Sequence, residues 1–190
     1  SQEAICTELG ISRTPVREAL LELQKEGYVS FARGKGVKVV PVTEQDAGDI
    51  LEARIFLESH NAKLAAERGT DKEKLAIMDC LSELKQNLSS LDSRLLYRID
   101  HRFHRLVADA SHNGWFARQT SLILDHYLRF EVKSVYNNSI DGKLVYKEHF
   151  SIGEGILNSQ PEIAAQAMQH HLSNSYTRTL GRIWKTTPER

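Results

Sequence analysis

A helix followed directly by a short basic hairpin, both within residues 12–39, constrains the fold of this chain more than any other feature. Ser12 is a candidate helix N-cap, and Pro15 falls in the first turn, where its missing N–H costs nothing. Residues at helical spacing then form one apolar face: Val16, Ala19, Leu20 and Leu23. Gly27 ends the helix, so the stretch predicts an amphipathic helix whose exposed start carries arginine.

The hydrophobic period after Gly27 shortens to two, which is typical of a half-buried strand. Residues 28–31 alternate, residues 33–36 form a glycine-rich basic turn, and residues 37–39 lead back as a second strand. A shorter helix and turn precede both elements, marked by Ile5, Leu9, Gly10 and Ile11. This order of elements predicts a winged helix-turn-helix.

The start of the second predicted helix has the chemistry of a DNA-reading surface. Arg13 and Arg17 lie one helical turn apart, with Thr14 between them. Arginine can bind O6 and N7 of guanine together, and the major groove accepts an exposed helix start. A basic hairpin beside it can follow phosphates or enter a minor groove. The alternative is an ordinary amphipathic helix with a solvated basic loop. The helix alone, or the hairpin alone, would favour this structural interpretation.

Residues 12–20, SRTPVREAL, closely resemble the recognition-helix signature of the GntR family of bacterial transcription regulators. The resemblance implies that Arg13, Thr14 and Arg17 contact bases or phosphates. It also implies contacts to the DNA backbone from Ser12, Arg33, Gly34 and Lys35. Glu3 departs from the family pattern, because some relatives carry a phosphate-binding arginine at this position of the first helix.

The composition fits a small two-domain protein. The chain has 190 residues, 41% of them hydrophobic, and a net charge of zero, which argues against coating nucleic acid without selectivity. Cys6 and Cys80 are far apart, so they imply no disulfide framework. The sequence contains no apolar run of membrane length and no signal-peptide pattern. We therefore expect a cytoplasmic protein without a membrane partner. Because the chain begins at a helix cap without Met, we expect the first helix of the DNA-binding domain to be missing.

Helical patterns fill the chain beyond the hairpin, which predicts a first domain over residues 1–41 and a second over residues 42–190. Six helices are expected, beginning near Thr43, Thr70, Asp92, Asn113, Gly142 and Pro161. The last is expected to end near Trp184. The first should turn an apolar stripe inward, made of Ile50, Ala53, Leu57, Leu64 and Ala65. Short connections favour an antiparallel bundle, so the fold class is mainly α with one small hairpin.

Acidic and histidine residues carry the chemistry of the predicted bundle. Asp100 and His104 are four residues apart, so they share one helix face and can close on a single ion. His149 and His171 lie on the last two helices, close enough along the chain to face each other. One carboxylate and three imidazoles suit Zn²⁺, Ni²⁺, Mn²⁺ or another divalent ion. The alternative is a structural pair, because eight histidines in a helical protein produce such spacings by chance.

The second domain resembles the FCD ligand-binding domain of GntR regulators of the FadR class. Matching segments are EARIFLE at 52–58, LAAER at 64–68, DHRFH at 100–104, Asn113, EH at 148–149 and AMQHHL at 167–172. The resemblance implies a metal at the base of an effector cavity, held by Asp100, His104, His149 and His171. Six helices point to the shorter, VanR-like variant of this domain.

The predicted centre suits an anionic effector, because a divalent ion with open positions binds carboxylate oxygens. Arg54, on the first bundle helix, is expected to hold the far end of such an effector. Its alternative is an ion pair with Glu58, four residues on. Tyr97, Asn174 and Tyr176 are expected to line the cavity. The resemblance implies a small organic acid: a hydroxy acid, a dicarboxylate or a sugar acid.

The two predicted domains together indicate a DNA-binding transcription regulator. The resemblance implies a homodimer on a palindromic operator, with repression relieved by the effector as the expected sign. One alternative is a metal-responsive regulator in which the ion itself is the signal. A third reading is an all-α metal-dependent hydrolase, in which the ion activates water. The sequence contains no HExxH, nucleophile elbow or glycine-rich nucleotide loop, so we expect no enzyme.

Overall fold

The computed structural model describes residues 1–32, 36–88, 93–135 and 142–183, and it divides into two compact units, residues 1–42 and 43–190. The first unit contains α1 (Gln2–Leu9), α2 (Arg13–Lys25), β1 (Val29–Ala32) and β2 (Gly36–Val39). The two strands are antiparallel, with Val29 opposite Val39. Gly10 ends α1 in the left-handed region at φ 66°, which glycine adopts without a steric penalty. The predicted winged helix-turn-helix is confirmed.

The core of the first unit is small. Val16 and Leu20 of α2 are buried together with Val29 of β1. The apolar face of α2 is narrower than predicted, because Ala19 is exposed and Leu23 is 37% exposed. Half of the predicted stripe therefore faces solvent.

The second unit consists of helices alone among its described residues. Their bounds are α3 (Glu44–Arg68), α4 (Asp71–Gln86), α5 (Ser93–Ala110), α6 (Gly114–Val135), α7 (Gly142–Leu157) and α8 (Pro161–Ile183). The predicted bundle of about six helices and the mainly α fold class are confirmed, while Trp184 lies outside the described residues. Within the part of the chain that the structure describes, no helix is both long and apolar enough to cross a membrane.

Two threonines fix the starts of α3 and α4. The hydroxyl of Thr43 accepts a hydrogen bond from the Asp46 backbone N–H, and the Asp46 carboxylate accepts one from the Thr43 N–H. Thr70 and Glu73 form the same reciprocal pair at α4. Each capping box satisfies two N–H groups that a helix start would leave unpaired. These local bonds explain why both helix starts could be read from the sequence.

The buried side of α3 differs from the predicted stripe. Ile50, Ala53, Leu57 and Leu64 are only half-buried, whereas Ala65 is fully buried as expected. The fully buried positions are Ala47, Arg54, Glu58, Asn61, Ala62, Ala65 and Ala66. The prediction of an apolar inner face was therefore wrong, because α3 packs against α5, α6, α7 and α8 with charged side chains among its buried residues.

Helices α7 and α8 approach closely at Gly155. A Cβ atom added there would lie 2.9 Å from the backbone nitrogen and 3.1 Å from the Cα of Ala164. Both neighbours are backbone atoms, which cannot rotate away, so the approach depends on the absence of a side chain at Gly155.

Replacing Gly155 by alanine should therefore destabilise the helical unit by about 1–3 kcal/mol, because α7 and α8 must separate. Urea unfolding of the two proteins would measure this loss. Gly114→Ala is the matched control, since nothing lies within 4 Å of a Cβ atom at that position. Equal stability of the Gly155→Ala and Gly114→Ala variants would contradict the prediction.

Candidate metal centre and exposed arginine helix

Four side chains converge inside the helical unit: Asp100 and His104 of α5, His149 of α7 and His171 of α8. One ligand atom from each lies within 4.8 Å of all the others. The imidazoles are almost fully buried, and the side chain of Asp100 is 18% exposed. The structure therefore brings together all four residues of the predicted ligand set.

The distances among these atoms match the shell of a small cation. Nε2 of His149 lies 3.3 Å from Nε2 of His104 and 3.3 Å from Oδ1 of Asp100. Nε2 of His104 lies 3.9 Å from Oδ2 of Asp100. Tetrahedral ligands at about 2.1 Å from a zinc ion are spaced by roughly 3.4 Å. The arrangement could hold one divalent ion.

The protonation state of the imidazoles also fits a cation. Burial, followed by the neighbouring His171 and His104, holds the pKa of His149 well below its usual range. Burial also lowers the pKa of His171, although the hydrogen bond that His171 makes to Glu148 opposes this change. Neutral imidazole is the form that binds metal. Nδ1 of His149 is buried and has no hydrogen-bond partner among the described residues, so this ring is not held by protein bonds on both nitrogens.

Behind His104 stands a buried ion pair. Nδ1 of His104 lies 2.5 Å from Oε2 of Glu58, whose other oxygen accepts a 2.6 Å hydrogen bond from Nε of Arg54. The Arg54 guanidinium also sits 4.3 Å from the centre of the Tyr127 ring. Burial raises the pKa of Glu58, but Arg54 and His104 outweigh it and hold that pKa well below its usual range. The ion-pair alternative for Arg54 is thus formed.

Behind His171 stands a second buried carboxylate, Glu148 of α7. Its Oε2 contacts Nδ1 of His171 at 2.9 Å, and Arg178 donates to both carboxylate oxygens at 2.7 Å. The amide of Asn174 donates to Oε1 at 2.9 Å and lies equally close to Nε2 of the exposed His170. Burial raises the pKa of Glu148, but the hydrogen bonds from His171, Arg178 and Asn174 bring it to about 2.

The remaining predicted lining residues lie on the same helices. Tyr97 of α5 and Tyr176 of α8 are half-buried. The arginines beside the α5 motif pair away from the centre, Arg102 with Glu83 and Arg105 with Asp125. His60 and His112 are exposed, and His60 contacts the carbonyl of Phe56.

Sequence reasoning missed the two carboxylates behind the imidazoles. The sequence indicates Glu58 only as a partner for Arg54, and Glu148 only as part of a family segment. A signal existed on α8, where Asn174 and Arg178 follow His171 by three and seven residues and so share its helix face.

The predicted DNA-reading residues are exposed at the start of α2. Arg13, Thr14 and Arg17 all face solvent, and Arg13 donates a 2.6 Å hydrogen bond to Glu3 of α1. Ser12 occupies the N-cap position, but its hydroxyl makes no capping hydrogen bond. The predicted wing contacts lie outside the described residues: Arg33, Gly34 and Lys35.

Comparison with known families assigns both units. Residues 1–39 match the bacterial regulatory proteins of the gntR family, and residues 49–174 match the FCD domain. The chain belongs to the GntR family. The family predicted from the sequence motifs of both domains is therefore confirmed.

Relatives of this GntR-family protein span most of its length. The Glc operon transcriptional activator of Escherichia coli K12 is 25% identical over 193 residues, covering 90% of this chain and 76% of the relative. LutR of Bacillus subtilis is 28% identical over 193 residues, covering 92% of this chain and 87% of LutR. The structure of E. coli McbR/YncC shares the fold, with a TM-score of 0.79 at 20% identity over 95% and 86% of the two chains. The protein is a transcription regulator, and the hydrolase alternative is set aside.

The buried imidazoles predict a pH dependence of stability in the ion-free protein. Because the pKa values of His149 and His171 are lowered in the folded state, both rings are neutral in both states only well above the ordinary histidine pKa of about 6.5. Below that pH the unfolded chain binds protons that the folded chain does not. The free energy of unfolding should fall between about pH 6.5 and pH 5, by up to roughly 1.4 kcal/mol per pH unit for each ring.

Urea unfolding across this pH window would measure the slope, with His149→Gln as the comparison. The variant removes one of the two rings, so its slope should be shallower. A wild-type stability that stays constant or rises on acidification would contradict the assignment of neutral buried imidazoles.

Proposed function

We propose that this GntR-family regulator binds a palindromic operator as a homodimer, and that its FCD domain binds a divalent cation and a small carboxylate that modulates operator binding. The observation that carries the proposal is the convergence of Asp100, His104, His149 and His171 inside that domain. The effector can act only by binding the DNA-competent and DNA-incompetent states with different affinity.

The exposed start of α2 supports the DNA part of the proposal. Arg13, Thr14 and Arg17 are free of the core, so they can reach bases or phosphates without unfolding the domain. Ser12 and the wing residues Arg33, Gly34 and Lys35 are proposed to contact the DNA backbone. A homodimer would present two such helices to two half-sites of one operator.

Replacing Arg13 or Arg17 by alanine should weaken operator binding by about 1–3 kcal/mol, because each arginine supplies a charged contact in or beside the groove. Fluorescence anisotropy at fixed salt would measure the loss. Lys25→Ala is the matched control, since it removes one positive charge from the other end of α2. Wild-type affinity in the Arg13→Ala, Arg17→Ala double variant would contradict the recognition-helix assignment.

The chemistry of the donor set supports a divalent ion. Three imidazoles and one carboxylate are the mixed nitrogen and oxygen ligands that Zn²⁺, Ni²⁺ and Mn²⁺ accept. We propose that Asp100 and His104 of α5 supply two ligands, with His149 and His171 supplying the others. A site of this kind joins α5, α7 and α8.

Purified protein should carry close to one divalent ion per chain, and His149→Ala or His171→Ala should lose most of it. Elemental analysis after dialysis against metal-free buffer would measure the content. His60→Ala and His112→Ala are matched controls, because both imidazoles are exposed. Their hydrogen-bond partners are the Phe56 carbonyl and the Glu73 carboxylate, which are not proposed ligands. Full occupancy in both ligand variants would rule out the proposed set.

With a divalent ion bound, the charge of the centre would favour an anionic effector. Three carboxylates (Asp100, Glu58 and Glu148) outnumber two guanidinium groups (Arg54 and Arg178), so the formal charge of the side chains is negative by one. A bound divalent ion would reverse that sign and offer open positions to a carboxylate oxygen. In a buried setting, an excess positive charge attracts anions strongly.

The proposed effector contacts are Arg54, Tyr97 and Asn174. Arg54 already pairs with Glu58, and Asn174 already donates to Glu148. An effector that binds them would therefore share or replace bonds within the two carboxylate networks. Such an exchange is a route by which effector binding could change the packing of α3 against α5 and of α7 against α8.

A thermal-shift screen of small organic acids should find stabilising compounds with ion-loaded protein but not after chelator treatment. The physical reason is that the cation supplies the excess positive charge that selects a carboxylate. The uncharged primary amide of each acid is the matched control and should have no effect. Equal stabilisation in both preparations would exclude a metal-bridged effector. No response to any acid, combined with ion-dependent operator binding, would favour a regulator whose signal is the ion itself.

A further inference from the structure

The three candidate metal-binding imidazoles are held in different ways. Two of them contact a buried carboxylate through Nδ1: His104 reaches Glu58, and His171 reaches Glu148. The third, His149, has a buried Nδ1 that contacts no carboxylate among the described residues. The contact of His104 with Glu58 is a close approach without hydrogen-bond geometry, whereas His171 and Glu148 are hydrogen-bonded. Direct carboxylate support is therefore given to two rings of the three.

Nε2 of His104 faces the centre, and Nε2 of His171 is the nitrogen that its contact with Glu148 leaves available. Nε2 of His104 lies 3.3 Å from Nε2 of His149 and 3.9 Å from a carboxylate oxygen of Asp100. Because Nδ1 of His171 is engaged by Glu148, Nε2 is the nitrogen that His171 can offer. A neutral imidazole has one N–H and one bare nitrogen, so an acceptor at Nδ1 leaves Nε2 bare.

Glu148 and Glu58 are themselves fixed by cations. Arg178 binds both oxygens of Glu148, and Arg54 binds the oxygen of Glu58 that does not face His104. The side chain of Glu148 is 7% exposed and that of Glu58 is 2% exposed, so neither has bulk water as an alternative partner. Each carboxylate is held ionised and in place on the far side of its imidazole.

We propose that Glu58 and Glu148 are positioning residues of the centre, which hold His104 and His171 as Nδ1-protonated tautomers with Nε2 aimed at a divalent ion. This inference rests on the proposed function, since it concerns the same cation. A carboxylate behind a ligating imidazole fixes the orientation of the ring and raises its basicity. His149, which lacks such support, takes its orientation from packing against Phe103 and the other two rings.

The competing explanation is that both carboxylates only stabilise the fold. Glu58 joins α3 to α5, and Glu148 joins α7 to α8, so their loss should also weaken helix packing. A purely structural role predicts that any variant of equal instability binds metal equally poorly. Leu84→Ala supplies that comparison, because Leu84 is buried in α4, which carries none of the four ligands or the two carboxylates.

The test compares Glu58→Gln and Glu148→Gln with wild type at a temperature where all are folded. Zn²⁺ affinity is measured by competition with a chromophoric chelator, and the coordination shell is read from the visible absorption of the Co²⁺ form. Each variant should lose about 10- to 100-fold in Zn²⁺ affinity and shift the Co²⁺ bands. Glu154→Gln, an exposed position on α7, should match wild type.

Zn²⁺ affinity of both variants within twofold of wild type would overturn the inference, as would an equal loss in Leu84→Ala. Long-range ¹⁵N–¹H NMR of the ion-free protein gives a second reading that does not depend on metal. It should show His171 protonated at Nδ1 in wild type and a changed tautomer mixture in Glu148→Gln. If wild type binds neither Zn²⁺ nor Co²⁺, the proposed function fails, and an unchanged His171 tautomer in Glu148→Gln would then overturn the positioning role as well.

Discussion

Three imidazole rings packed together in a helical core, with centroids 4.2 to 5.3 Å apart, determine the arrangement of the side chains around them. Buried polar groups destabilise a fold unless each finds a partner. Asp100, Glu58 and Glu148 supply acceptors on different sides of the cluster. A divalent cation at the centre would bind the imidazole nitrogens that these carboxylates do not contact.

This requirement explains the buried charges of α3, while a second feature of the packing has an apolar origin. The central helix α3 buries Arg54 and Glu58 where an amphipathic helix would bury aliphatic residues, because Glu58 must reach His104. Helices α7 and α8 close on each other at Gly155, in the same pair of helices that carry the ligands His149 and His171. Glu58 is therefore placed by the polar cluster, whereas Gly155 packs against Ala164 of the apolar core.

Much of the fold could be predicted because its signals are local. Thr43 and Thr70 mark helix starts with bonds to residues three positions away, and Asp100 and His104 share a helix face by spacing alone. The buried side of α3 was predicted wrongly, because hydrophobic periodicity does not register a buried ion pair. The contact of Glu148 with Arg178 joins two helices, so no rule of spacing within one helix could reveal it.

X-ray absorption spectroscopy of the ion-loaded regulator identifies the ligands of the bound metal and so tests whether the three imidazoles and Asp100 hold one divalent ion. We expect a first shell dominated by imidazole nitrogen, with multiple scattering from about three rings, plus carboxylate oxygen at about 2.0–2.2 Å for zinc. The outer-shell signal should drop by one ring in His149→Ala. A first shell of oxygen alone, or one containing sulfur from Cys6 or Cys80, would contradict the account.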